Sequence, residues 1–354
     1  MKDKITAEWL VNVSANNHKA DKILIEKVIR ALLLLEGLVK AQLPFVFKGG
    51  TALMLHFNSA KRLSIDIDII LPDEPENLEG ILDEVVREQG FVRKELQHRN
   101  QQLKIKKEHY KFFYEPVHRT LGEMEYVLLD ILFEKMNYSS LIRIPLISGF
   151  VPADSGTFFV NVPCLEDLLG DKLTAFAPNT TGIPYFKKND GMGMEIIKQL
   201  YDIGNLLDLV SDMNIVRNTF YRFAETEIMY RNPDGMSIED VLSDIFQTAL
   251  CIVTRGADGK GNFEELKKGV QRINGFIFSE SYHIEKVISH ASKAAYLSVV
   301  IKAGVLKIKR YKNPAQIKDW LIGKPLNTKL NKLKKTNPEA FYYWYRVYEI
   351  LSTR

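Results

Sequence analysis

Two aspartates, Asp66 and Asp68, interrupt an apolar run, SIDIDIIL, at residues 64–71. The alternation has period two, which predicts a strand. In a strand, residues i and i+2 share a face and stand about 7 Å apart. Both carboxylates therefore project together, while Ile65, Ile67 and Ile69 face the core. Two close carboxylates on an apolar strand repel and desolvate one another, and a cation between them relieves both penalties. Hard oxygen ligands favour Mg²⁺ or Mn²⁺, and Mg²⁺ usually combines one or two carboxylates with substrate phosphates. A third carboxylate, Asp130, interrupts another apolar strand, EYVLLDILF at 125–133. It would complete a two-metal site with Asp66 and Asp68 and help deprotonate an attacking hydroxyl.

Upstream lies Lys48-Gly49-Gly50-Thr51. Glycine lets backbone N–H groups approach a ligand closely. Thr51 reads as the N-cap of a short helix through His56, whose positive end would face a phosphate. One element would thus hold a triphosphate and the next the metal that bridges it. Lys48 and Arg62 could contact phosphate, with Ser64 beside them; Arg62 could equally brace an aspartate or form an ordinary salt bridge.

Around this centre, helical spacing predicts a helix over 18–41, ended by Pro44, and another over 77–90. Strands are expected at 45–47 and 157–162, and several across 91–133, among them 110–114 and 125–133. After Pro163 helical periodicity dominates: 165–177, 192–210, 212–230, 237–254, 262–278 and 281–303. A Pro- and Lys-containing stretch, 310–337, leads to an aromatic helix, FYYWYRVYEIL, whose spacing favours core packing over base stacking. The expected class is α+β, with a mixed-sheet domain at 1–163 and a helical domain at 164–354.

At these residues the sequence resembles the DNA polymerase β-like nucleotidyltransferase superfamily and, within it, the AbiEii/AbiGii toxin family. The resemblance rests on KGGTAL (48–53), then R-x-S-x-D-x-D from Arg62 to Asp68. It extends to LEDLLGDKLTAF (165–176), which carries Lys172, and KQLYDIGNLL (198–207), which carries Asp202. It spans about residues 40–210. The superfamily's usual Gly-Ser is Gly50-Thr51 here, and Gln199 stands where relatives often have an acid. The resemblance implies metal-dependent transfer of a nucleoside monophosphate from an NTP, with release of pyrophosphate. It implies a toxin of a toxin–antitoxin or phage-exclusion system, hence an antitoxin partner. Some relatives modify the 3′ end of tRNA. Lys172 would neutralise the departing pyrophosphate, and Asp202 would hold Lys172 or a substrate hydroxyl. Without the motif, the two would read as surface charges of amphipathic helices.

Bulk properties set the partners. The chain has 354 residues, 46% hydrophobic and 26% charged, which suits a globular protein with a substantial core. Residues 301–354 hold 13 Lys/Arg against 3 Asp/Glu, a balance of +10 in a chain whose total is +4. Such a basic tail favours a polyanion, here an RNA acceptor. A protein hydroxyl or a small molecule is the alternative acceptor, and a non-catalytic nucleotide-binding module the alternative class. Cys164 and Cys251 cannot form a disulfide framework, and no apolar leader or membrane-length run is present, so a cytoplasmic protein is expected. His98, His109 and His118 lack zinc-ligand spacing with cysteine. No G-x-x-x-x-G-K-[ST] motif is present, which argues against a P-loop NTPase.

Overall fold

The computed structural model describes residues 5–17, 19–57, 61–97, 106–117, 124–150, 158–231 and 235–353; His98 and His118 lie outside them. The chain folds into two compact units, Met1–Cys164 with Gly275–Ser281, and Leu165–Asn274 with Tyr282–Arg354.

The first unit opens with α1 (Ala7–Asn16) and α2 (Lys22–Lys40). Asp21 caps α2 by accepting from the backbone N–H groups of Ile23 and Leu24 at 2.8 and 3.0 Å, which satisfies two of the donors every helix start leaves open. There follow β1 (Val46–Lys48), α3 (Gly49–His56), β2 (Asp66–Leu71), α4 (Leu78–Gln89), β3 (Arg93–Leu96), β4 (Lys107–Tyr114) and β5 (Glu125–Phe133). The five strands form one mixed sheet in the order β1-β2-β5-β4-β3. Strands β2 and β5 run parallel, and the other neighbours are antiparallel.

One sheet face is apolar. Phe47, Ile67, Ile69, Leu129, Ile131, Tyr110 and Phe112 are buried on it and share a core with the inward residues of α2 and α4. Period-two alternation puts the polar residues of the same strands on the other face. Ile65 is partly buried against the core. Beyond the sheet, β6 (Leu141–Pro145) pairs antiparallel with β7 (Phe159–Pro163). Segment 275–281 returns to this unit: Leu63 N–H donates to Phe276 O at 2.7 Å, Ser279 Oγ donates to Lys61 O at 2.7 Å, and Phe278 meets Phe150 edge to face.

The second unit is mainly helical. It contains α5 (Leu165–Ala175), the short ladder of β8 (Phe186–Lys187) and β9 (Asp190–Gly191), α6 (Gly193–Leu206), α7 (Met213–Arg231), α8 (Ile238–Val253), α9 (Phe263–Ile273) and α10 (Ile284–Ala303). After one 3₁₀ turn at Pro314–Ile317 come α11 (Asn327–Leu330), α12 (Leu333–Thr336) and α13 (Pro338–Ser352). Helix α10 is buried all round from Val287 to Ile301 and packs against α6, α8 and α13. A helix buried on every side lies in the interior of a bundle, and its buried Lys293 is paired with Asp208 and Glu339 at 2.7 and 3.1 Å. The aromatic helix packs as its spacing predicts, with Phe341, Tyr342, Tyr343 and Trp344 buried. Among the described residues no helix is long and apolar enough to cross a membrane.

Helix α1 and strand β6 were not expected from the sequence, and β3 lies inside the 91–133 stretch of strand candidates but has no expected bounds of its own there. Both strands are short, and much of each is exposed, so neither has a strong apolar alternation.

Candidate active site

Strand register assembles the site. Lys48 on β1 lies opposite Asp68 on β2, Asp68 beside Asp130 on β5, and Asp130 opposite His109 on β4. Cross-strand partners point to one side of a sheet and neighbouring strands are about 4.8 Å apart. The four side chains thus form a row across the polar face. Asp66 stands on the same face two residues along β2, next to Leu128. The sheet therefore brings together the three carboxylates expected from sequence, each partly exposed on a strand whose other face is in the core.

Asp130 Oδ1 is 2.7 Å from His109 Nδ1. An ionised carboxylate only accepts, so the imidazole donates here. The His109 side chain is 17% exposed and that of Asp130 34%. Sequence spacing gives His109 no role. The alternation of KEHYKFFY could have placed it on the polar face, but only the pairing of β4 with β5 puts it against Asp130.

The glycine turn packs closely against β2 and the residues just before it. Gly49 has φ +82°, a left-handed conformation that a side chain resists. A β-carbon there would also overlap Asp68 Oδ2, so the carboxylate lies directly over the Gly49 α-carbon. At Gly50 a β-carbon would meet Arg62 Nη2 and Ser64 Oγ, each at 2.7 Å. The guanidinium and the hydroxyl therefore sit against the first turn of α3. Arg62 is buried, and its Nη1 donates to Leu63 O at 3.2 Å.

Thr51 corrects one expectation. It is not the N-cap: α3 starts at Gly49, and Lys48 occupies the cap without a side-chain capping bond. Thr51 is fully buried, and its Oγ1 donates to Asp66 O at 2.6 Å. Its hydroxyl thus holds the backbone of the aspartate strand, and the α3 start is left to its own backbone N–H groups and the flanking Arg62 and Ser64. At the other end of α3, His56 Nε2 bonds Pro163 O at 2.9 Å, and burial lowers its pKa. It is a packed residue, as its place in the helix suggests.

In the second unit, Lys172 on α5 and Asp202 on α6 form a buried ion pair at 3.0 Å, their side chains 9% and 5% exposed. Neither is the surface charge that an amphipathic helix alone would suggest.

The donor set has the chemistry of a hard-cation site: carboxylate oxygens on one face, without sulfur. Among the described residues no three His, Cys, Asp or Glu side chains already converge as a metal cage. Mg²⁺ does not need one, because it is usually held by one or two carboxylates with substrate phosphates and water completing its shell. The row of Asp68 and Asp130, with Asp66 beside it, fits that mode of binding.

A model of the family described as "Nucleotidyl transferase AbiEii toxin, Type IV TA system" matches residues 33–289, which include β1 through the first turns of α10. No curated protein sequence matches. Among solved structures, a candidate nucleotidyltransferase from H. pylori is 15% identical, with a TM-score of 0.42, over 81% of this chain and 97% of that one. JHP933 from Helicobacter pylori is 14% identical, with a TM-score of 0.41, over 85% and 95%. With the family match covering most of the chain and all of the motif residues, the protein belongs to the AbiEii nucleotidyltransferase toxin family of type IV toxin–antitoxin systems.

Proposed function

We propose that the protein transfers a nucleoside monophosphate from an NTP to an RNA hydroxyl, that of the tRNA 3′ end, using a divalent cation. The observation that carries this reading is the in-register pair Asp68 and Asp130, with Asp66 on the same face and Gly49 packed under the Asp68 carboxylate. Asp66, Asp68 and Asp130 would hold Mg²⁺ or Mn²⁺. Such an ion, when bound, supplies positive charge to the triphosphate and lowers the cost of charge build-up at the reacting phosphorus.

The chain's own groups supply the remainder. The first turn of α3 offers backbone N–H groups of Gly49 and Gly50 to phosphate oxygens. Arg62 and Ser64, packed on Gly50, add a guanidinium and a hydroxyl to that contact, and Lys48 adds an ammonium beside Asp68. Asp130 accepts the proton of the attacking hydroxyl. Lys172, held by Asp202 within the second unit, is assigned by the family motif to the charge of the departing pyrophosphate. Lys307, Lys309, Lys312, Lys318, Lys324, Lys332 and Lys335 belong to the basic tail, all of them exposed, and they would meet acceptor phosphates with a steep salt dependence. Toxicity then follows from blocking acceptor ends, and an antitoxin partner would restrain it.

The test incubates protein with Mg²⁺, bacterial tRNA and each α-labelled NTP in turn, beside Asp66→Ala. Label on RNA with the wild type alone supports the reading and names the nucleotide. Label on protein, or pyrophosphate released with a small acceptor, would replace the acceptor. A folded Asp66→Ala protein that kept both transfer and toxicity would refute the catalytic assignment.

A further inference from the structure

The row of polar residues contains one member that the motifs do not assign. We propose that His109 is a positioning residue: it fixes the orientation of Asp130 so that the free carboxylate oxygen is presented to the cation. The inference rests on Asp130 being a metal ligand, as proposed above.

Three observations carry it. The two residues are direct cross-strand partners in an antiparallel ladder, so their backbones are held by the sheet. The 2.7 Å bond engages Oδ1 alone, leaving Oδ2 and one lone pair of Oδ1 for other ligands. The partner is also chosen against the local trend. On this face His109 is flanked along β4 by Lys107 and Lys111, whereas Tyr110, Phe112 and Tyr114 take the buried face. A lysine at 109 would bring a flexible charge to the carboxylate. The imidazole instead donates through a rigid ring with two torsions, which defines the carboxylate plane. Outer-shell donors of this kind orient metal-ligating groups, and removing one typically costs 10–100-fold in metal affinity or activity.

The experiment compares wild type, His109→Ala, His109→Asn, His109→Gln, Asp130→Ala and Asp66→Ala as full-length proteins. Mn²⁺ binding is followed by electron paramagnetic resonance with a non-hydrolysable NTP analogue present, and kcat and KM for NTP are measured separately. The expected result is that His109→Ala weakens Mn²⁺ binding about 10–100-fold and lowers kcat in proportion, with KM and thermal stability nearly unchanged. Asn, whose amide nitrogen stands where Nδ1 stands, should restore most of the loss, and Gln, whose amide nitrogen stands where Nε2 does, should not. If His109→Ala binds Mn²⁺ like wild type while Asp66→Ala and Asp130→Ala do not, the positioning role is wrong and the metal site stands. If the two aspartate variants also bind like wild type, both inferences fall. Equal rescue by Asn and Gln would show that bulk rather than the Nδ1 bond matters, and would also overturn the proposal. Should His109→Ala misfold, the contrast between Asn and Gln still decides the matter.

Discussion

Gly49→Ala separates backbone strain from loss of chemistry. Gly49 sits at φ +82° with Asp68 Oδ2 over its α-carbon. A β-carbon in the left-handed region costs about 1–2 kcal/mol. The overlap forces the Asp68 carboxylate from its rotamer, adding about 0.5–1.5 kcal/mol. The total is about 1.5–3.5 kcal/mol, which lowers Tm by roughly 3–14 °C in a cooperative unit of this size. Gly304→Ala is the control: φ is +68° there, and a β-carbon would meet only Arg217 Nη1 at 3.8 Å. It should lose the backbone share alone, about 1–2 kcal/mol. Activity should diverge far more. A displaced Asp68 removes a preorganised electrostatic contact, for which the usual scale is about 10²–10³ in kcat, whereas Gly304→Ala should stay close to wild type. Calorimetry on both variants, together with labelled-NTP transfer, gives the comparison. If Gly49→Ala is destabilised as expected yet transfers nucleotide as fast as Gly304→Ala, the Asp68 carboxylate is not held for chemistry by this glycine.

Further outcomes follow from named contacts. Lys172→Met leaves Asp202 buried without its 3.0 Å partner and should cost about 3–5 kcal/mol in urea unfolding, while Lys172→Met/Asp202→Leu should recover much of it; additive losses would show that the pair is not coupled. Thr51→Val removes the donor to Asp66 O and should cost about 1–2 kcal/mol, with transfer reduced because the aspartate strand loses a tether; an unchanged unfolding midpoint would contradict this. Burial lowers the His56 pKa below its ordinary 6.5, so the unfolded chain takes up this proton first as pH falls. The resulting loss of stability begins near pH 6.5 and grows until the folded-state pKa is reached, with a slope of at most about 1.4 kcal/mol per pH unit. His56→Asn should flatten unfolding free energy over that window, and an unchanged pH profile would exclude the effect.

Much of this architecture was legible in the sequence because the strongest signals are periodic. The run at 125–133 is a strand with the expected bounds, and 64–71 differs from the observed β2 by two residues at its start. The helices after Pro163 appear where the 3.6-residue pattern puts them, with ends that differ by a few residues. The class, the family and the nucleotidyltransferase assignment were readable because KGGTAL and R-x-S-x-D-x-D encode a local chemistry. Cross-strand information was not. Nothing in the linear order says that Asp68 is registered with Asp130, or Asp130 with His109, because register depends on pairing between segments about 20–60 residues apart. The Thr51 expectation failed for a similar reason. Its hydroxyl has a local role as a cap and a distant one on Asp66 O, and glycine at positions 49 and 50 lets the helix start early enough for the distant one. The burial of Lys172 and Asp202 needed the packing of α5 beside α6, which amphipathicity alone does not specify.

The return of residues 275–281 to the first unit bears on how the protein is made. A ribosome releases the β1–β7 segment long before it reaches Phe276, whose carbonyl receives the Leu63 N–H next to Arg62 and Ser64. At about 5–20 residues per second the interval is on the order of ten seconds. Throughout it, the loop between the glycine turn and the aspartate strand lacks its closing partner. A prematurely terminated chain ending near residue 164 would lack it permanently. The first unit is therefore completed only by sequence that lies beyond α5–α9, so a broken message yields an incomplete first unit rather than a shorter folded protein.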